Sequence, residues 1–293
     1  MDTSLVIAPR FNGPAHSGNG GYAAGLLAGQ WLARQGGIRG SDGGARSPGD
    51  GAWPASSAVE VTLRAPLPLG RPLRLQSAGA DGLSLMDGDV LLAQARTADL
   101  SLEVPPSPEL AQAAAAGALG RLHAARGMGN SYLTCFGCGV GREAHDGLRI
   151  VPSPVGDDGL VASDWTPHTA LGDGQGLVPD AVIWAALDCP AGIAWNHRLR
   201  DGPALVTGQM VVVLDEPVRT GQPHVVIGWP IVAEGRKLHA GSALFDASGR
   251  VRLSFCFNDA APWPAGADGG GYTLELKDRT QLLSDPLNWF TGC

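Results

Sequence analysis

Three groups of residues stand where chemistry could be done. Asp188 lies within AVIWAALDCPAGIAW (residues 181–195), a stretch that is otherwise apolar. A carboxylate buried there without partners loses its solvation, so it either finds donors or shifts its pKa upward. It is held by backbone donors near Pro190, which must end or kink a helix, or it works as a general base on water or as a nucleophile. Asn19, Gly20 and Gly21 open a second apolar stretch. The first amides of a helix lack intrahelical partners and carry the positive end of its dipole, and glycine lets a carbonyl oxygen come close. A plain N-cap followed by loop glycines accounts for the same three residues. Cys135 and Cys138 form a CxxC with His145 nearby. No second CxxC or paired His stands at finger spacing and the βαβ context of a redox pair is missing, so packing thiols are expected, with no metal and no cofactor. Cys189 follows Asp188 without a local His to activate it, and reads as a buried thiol.

The elements that must position these residues occur twice. VTLRAPLPLGRPLRL (61–75) and VVLDEPVRTGQPHVV (212–226) place Pro66, Gly70 and Pro72 at the spacing of Pro217, Gly221 and Pro223. In each copy a β-branched or alternating run enters a Pro/Gly turn and an extended run leaves it, the pattern of paired antiparallel strands. Each copy follows an apolar helical stretch, residues 21–33 and 181–195, with too narrow a polar face for a surface helix, so each helix is expected to be enclosed by its own sheet. Between the copies, residues 105–133 open with prolines and run on through alanines, a linker carrying a helix. Residues 36–57 are rich in Gly, Ser and Asp and predict a mobile loop. The last thirty residues form an appended tail.

Composition narrows the classes further. The 293 residues suit one large domain or two ordinary ones. Gly and Pro make up 65 of them, roughly a fifth, which excludes a coiled coil or a long helical bundle. A net charge of −7 argues against an extended phosphate-binding surface, so nucleic acid is not an expected partner. The opening MDTSLVIAPRFNG lacks the basic and apolar regions of a signal peptide, and no apolar run reaches membrane-spanning length, so a cytoplasmic location without membrane association is expected. Five cysteines in a chain this long do not make a disulfide framework.

CFGCGVGREAHDGLRI from Cys135, followed some thirty residues later by GLVPDAVIWAALDCP, resembles the hotdog-fold acyl-CoA thioesterases. FNGPAHSGNGGYAAGLLAG in the first half resembles the helix start of the same superfamily, with Asn19-Gly20-Gly21 where many members have His-Gly-Gly. Two such halves look like a double-hotdog thioesterase. The resemblance implies an α+β fold of two tandem hotdog units, each an apolar helix wrapped by a curled antiparallel sheet, forming an intramolecular pseudo-dimer. Its units would be residues 1–104, a linker 105–134, residues 135–262 and a tail 263–293. It implies hydrolysis of an acyl-CoA or acyl-carrier-protein thioester, the carbonyl polarised at Gly20 and Gly21 and attacked with help from Asp188. The halves keep different pieces. Nine residues after Asn19 stands Ala28, whereas nine after Pro179 stands Asp188, so one site is complete and one degenerate. Similar proteins also place a polar residue on a nearby strand to hold water, for which Thr207 and Gln209 fit best, and a GRK-type segment for phosphates, matched by Arg236 and Lys237. The resemblance further allows a homodimer of double hotdogs. A hydratase on the same fold, which would pair an Asp with a His such as His168 or His197, and a non-catalytic acyl-CoA binding module are the alternatives.

Overall fold

The computed structural model describes residues 4–35, 58–79, 82–128, 132–143, 145–199, 205–214, 217–235 and 237–246, together with the backbone of 251–260, 274–276 and 289–291. The loop expected at residues 36–57 and Arg236 lie outside these residues. The first half runs β1 (Ser4–Val6), α1 (Gly20–Arg34), β2 (Ala58–Leu63), β3 (Pro72–Ser77), β4 (Leu83–Asp87) and β5 (Val90–Ala98). α2 (Leu110–Ala125) connects it to β6 (Ser153–Pro154), β7 (Val161–Trp165), α3 (Asp180–Leu199), β8 (Leu205–Val212), β9 (His224–Glu234), β10 (Lys237–Phe245) and β11 (Val251–Ala260). β12 (Leu274–Leu276) and β13 (Trp289–Thr291) pair near the end of the chain.

Strands β1 to β11 form one antiparallel sheet in the order β1-β3-β4-β5-β2-β8-β11-β10-β9-β7-β6. Outward from the β2–β8 junction the first half reads β2, β5, β4, β3, β1 and the second reads β8, β11, β10, β9, β7, the same chain order in each direction. The matching turns are alike in detail. Gly70 and Gly221 have φ of 70° and 76°, the left-handed region where glycine is unstrained. The Gly70 amide donates to Ile7 O and that of Gly221 to Pro167 O, both at 2.8 Å. Just ahead of each central helix, Gly18 N–H donates to Leu67 O and Val178 N–H to Val218 O, again at 2.8 Å.

One sequence expectation is corrected here. The strands flanking each Pro/Gly turn do not pair with each other, because β2 pairs with β5 and β8 while β3 pairs with β1 and β4. A glycine turn fixes where the chain reverses, and the choice of neighbour is made by side-chain packing across the sheet. β5 and β4 fill the gap.

α1 and α3 lie together against one face of the sheet and share a core with β2 to β5 and with β8 to β10. Each helix is therefore enclosed by the other helix as well as by strands. α2 covers the opposite face of the second half, where Ala113 packs with Val225, Ile227 and Phe245. β9 is buried from His224 to Trp229 because it is sandwiched between α3 and α2, which also explains its unbroken apolar run. α3 continues through Pro190 to Leu199. Of the two outcomes expected at that proline, an end or a kink, the helix does not end there. Ser242, buried on β10, donates to the Leu187 carbonyl beside the one that proline leaves without a helical donor.

The two central helices approach closely enough to forbid side chains. A Cβ at Gly25 would stand 2.7 Å from Ala181 Cα and 2.8 Å from Trp184 Cβ. Gly25→Ala gains up to about 1 kcal/mol of helix propensity but must part the helices, an overpacking cost of about 1–3 kcal/mol. Denaturant titration is expected to show a less stable protein; equal or greater stability would contradict this contact.

Candidate functional site

Asp188 sits in the middle of α3, 5% exposed, and faces the first turn of α1. Its Oδ2 accepts from the Gly21 backbone N–H at 2.9 Å and from Asn19 Nδ2 at 3.4 Å. Its Oδ1 accepts a short hydrogen bond from Thr207 Oγ1 on β8. Asn19 Oδ1 in turn caps α1 by accepting from Tyr22 N–H at 2.8 Å. Segments distant in sequence, the start of α1 and β8, thus supply these donors to the carboxylate.

Burial dominates its titration. Desolvation pushes the Asp188 pKa up to about 6, against the bonds from Thr207, Gly21 and Asn19 that favour the anion. Cys135 nearby pushes in the same direction as burial.

The glycines that open α1 are fixed by close approach. A Cβ at Gly21 would be 2.6 Å from Asp188 Cβ and 2.5 Å from Trp184 O, and one at Gly20 would be 2.8 Å from Thr207 Cβ. The expectation that both glycine amides face a substrate carbonyl needs correction for Gly21, whose N–H is bonded to the carboxylate. Ala23 N–H bonds Asn19 O within the helix, which leaves Gly20 N–H as the first-turn amide without a partner among the described residues.

The other sequence candidates separate. Gln209 is on β8 but donates across the junction to Thr62 Oγ1 on β2 at 3.2 Å, not to Asp188. Thr207 and Gln209 pair with Asn258 and Phe257 respectively, so Gly208 is an extra residue whose bulge breaks the strand alternation between them. Lys237 is exposed at the start of β10. Positions corresponding to Gly21 and Asp188 with the helices exchanged are Ala181 and Ala28, both buried and without an ionisable group.

Two features were not read from the sequence. Cys189 projects toward Cys135 and Cys138, and the three Sγ atoms lie within 4.8 Å of one another. Hydrogen bonds from the Cys138 and Cys189 thiols, aided by the backbone N–H groups of Cys138 and Gly137, hold the Cys135 pKa well below its ordinary value. Cys189 is pushed well above its own by its bonds to Cys135 and Cys138 and by burial. Asn19 Nδ2 contacts Cys135 Sγ at 3.6 Å and so links this cluster to Asp188. His145, the residue nearest the CxxC in sequence, is instead exposed, its ring 5.7 Å from that of His168.

The second feature is Arg142. Its guanidinium bonds Thr134 O at 2.7 Å, Asp146 Oδ2 at 2.6 Å, Arg10 O at 2.5 Å and, more closely still, Asn12 Oδ1. It fastens the CFGCG segment to the chain entering α1. Phe136 completes that join, stacking edge-on against Phe11 and Tyr22 while its N–H donates to Asn12 O at 2.7 Å.

No family model matches the chain, and no curated protein matches it. Solved structures do. A protein of Novosphingobium aromaticivorans described as a thioesterase superposes with a TM-score of 0.54 at 12% identity, covering 88% of this chain and 94% of that one. One of Thermobifida fusca described as a thioesterase II gives 0.52 at 14% identity, covering 89% and 94%. A hot dog fold protein of unknown function from Alicyclobacillus acidocaldarius gives 0.52 at 9% identity, covering 88% and 92%. The chain therefore has the hotdog fold, as the resemblance read from its sequence implied. No helix among the described residues is long and apolar enough to cross a membrane.

Asp188 makes stability depend on pH with a definite sign. Its pKa is raised in the folded state, so the stabilisation it confers is complete below pH 3.8 and is lost as pH rises through about 6. The difference corresponds to about 3 kcal/mol. Urea titrations at pH 3 and pH 7 are expected to show wild type losing that much more stability than Asp188→Asn over the interval. A parallel pH dependence in the two proteins would show that the carboxylate titrates normally.

Proposed function

We propose that the protein hydrolyses an acyl thioester of coenzyme A or an acyl-carrier protein, and that it is built as an intramolecular pseudo-dimer of two hotdog units. The units are residues 1–104 and 135–262, joined by the linker 105–134 and followed by the tail 263–293. The mirrored strand order about the β2–β8 junction supports this division. The catalytic reading rests on one observation: a buried carboxylate from α3 is hydrogen-bonded to the first turn of α1 and to Thr207 on β8.

The thioester carbonyl oxygen is placed at Gly20 N–H, at the positive end of the α1 dipole. Asp188, with a pKa of about 6, is mostly ionised at neutral pH and accepts a proton from the attacking water. The tetrahedral oxyanion is stabilised at the helix terminus, and its collapse expels the thiolate, which takes up a proton. Thr207 and Asn19 hold the carboxylate in position. Direct attack by Asp188 would pass through a mixed anhydride at the same place. Lys237 and Arg236 are assigned to the carrier's phosphates. A hydratase reading has less support, because His168 is exposed and accepts from Ala170 N–H at 3.1 Å.

A thiol-release assay over a panel of acyl-CoA chain lengths tests the proposal. Asp188→Asn keeps the shape and removes the base, so turnover should fall by about two to four orders of magnitude while acyl-CoA binding persists. Asp180→Asn, at the start of the same helix, should change rates far less, since a carboxylate there is accounted for by capping and dipole effects. Full activity of Asp188→Asn would remove the assignment, and binding without turnover in wild type would favour an acyl-CoA binding module.

A further inference from the structure

We infer that Cys135, Cys138 and Cys189 form a three-thiolate site for a zinc ion that fastens the segment 132–141 to α3. The CxxC and His145 made an incomplete ligand set in the sequence, and the fold supplies the third ligand from a helix fifty residues away.

The spacing suits the ion. Zinc bound at about 2.3 Å to each sulfur of a tetrahedral site sets its sulfurs about 3.8 Å apart. Cys135 Sγ and Cys189 Sγ are 3.8 Å apart, and all three sulfurs fall within 4.8 Å of one another, so a small contraction closes the set. Cys135 and Cys138 are 3% and 5% exposed, in a small apolar cluster with Ala124 and Val151.

The backbone around the sulfurs is shaped for the same geometry. Gly139 N–H donates to Cys135 O at 2.8 Å, closing the CxxC into a tight turn that brings both sulfurs to one side. A Cβ at Gly139 would be 2.4 Å from that oxygen. A Cβ at Gly137 would be 2.7 Å from Cys189 Sγ, so this glycine is what allows the turn to approach the third sulfur. Three sulfurs leave the fourth tetrahedral position for a water or an anion. Since Cys189 adjoins Asp188, the ion would fix the turn of α3 that carries the carboxylate. The inference is independent of the proposed hydrolysis, and either can fail alone.

The full chain, purified under reducing conditions without chelator, should contain about one zinc by elemental analysis. Cys135→Ser, Cys138→Ser and Cys189→Ser should each lose it, while His145→Ala retains it. Should a serine variant fail to fold, cobalt(II) titration of metal-depleted wild type decides the matter. Thiolate-to-cobalt charge-transfer bands and the intense visible bands of a tetrahedral ion, saturating near one equivalent, are expected. Reduced wild type that takes up neither zinc nor cobalt, or metal content undiminished in folded Cys189→Ser, would overturn the site.

Discussion

The Asp188 carboxylate is the point on which the two halves of the chain meet. It is buried in an apolar helix, and a charge so placed is tolerated only with several donors aimed at it. Those donors come from Asn19 and Gly21 on the first half and from Thr207 on the strand that joins the halves. The arrangement demands close approach. A side chain at Gly20 would strike Thr207, and one at Gly21 would strike Asp188 itself. The small residues at the start of α1 are therefore a geometric consequence of the carboxylate's position, whatever further use a substrate makes of the helix terminus.

Much else serves to hold that meeting in register. Gly25 lets α1 and α3 remain in contact beyond the first turn, and the β2–β8 pairing carries the join into the sheet. The CFGCG segment lies against the same place from a third direction. It is tied to the chain before α1 by Arg142 and Phe136, and to Asp188 by way of Asn19. A motif that looks in sequence like the doorway to the second half is, in three dimensions, in contact with both.

Several of these features were legible in the amino-acid order. Asp188 declared itself by standing alone among apolar residues, and the repeated Pro/Gly spacing marked two turns that share a left-handed glycine, Gly70 and Gly221, since such a turn leaves a local trace. The helices over residues 21–33 and 181–195 appear with somewhat longer bounds as α1 and α3. What escaped was non-local. Strand neighbours depend on packing between distant segments, so the turns suggested hairpins that do not exist. Pro190 argued for an end or a kink, and the serine that serves the loosened turn lies more than fifty residues away on β10. Gln209 and Thr207 looked equivalent until a bulge separated them, and Cys189 could not be joined to the CxxC without knowing where α3 runs.

Function turns on where an acyl thioester lies relative to this carboxylate. A crystal structure with a non-hydrolysable acyl-CoA analogue measures that directly. The predicted result is a carbonyl oxygen about 3 Å from Gly20 N, with its carbon beside Asp188 between the two halves. An analogue bound with its carbonyl away from the α1 terminus and Asp188 would contradict it.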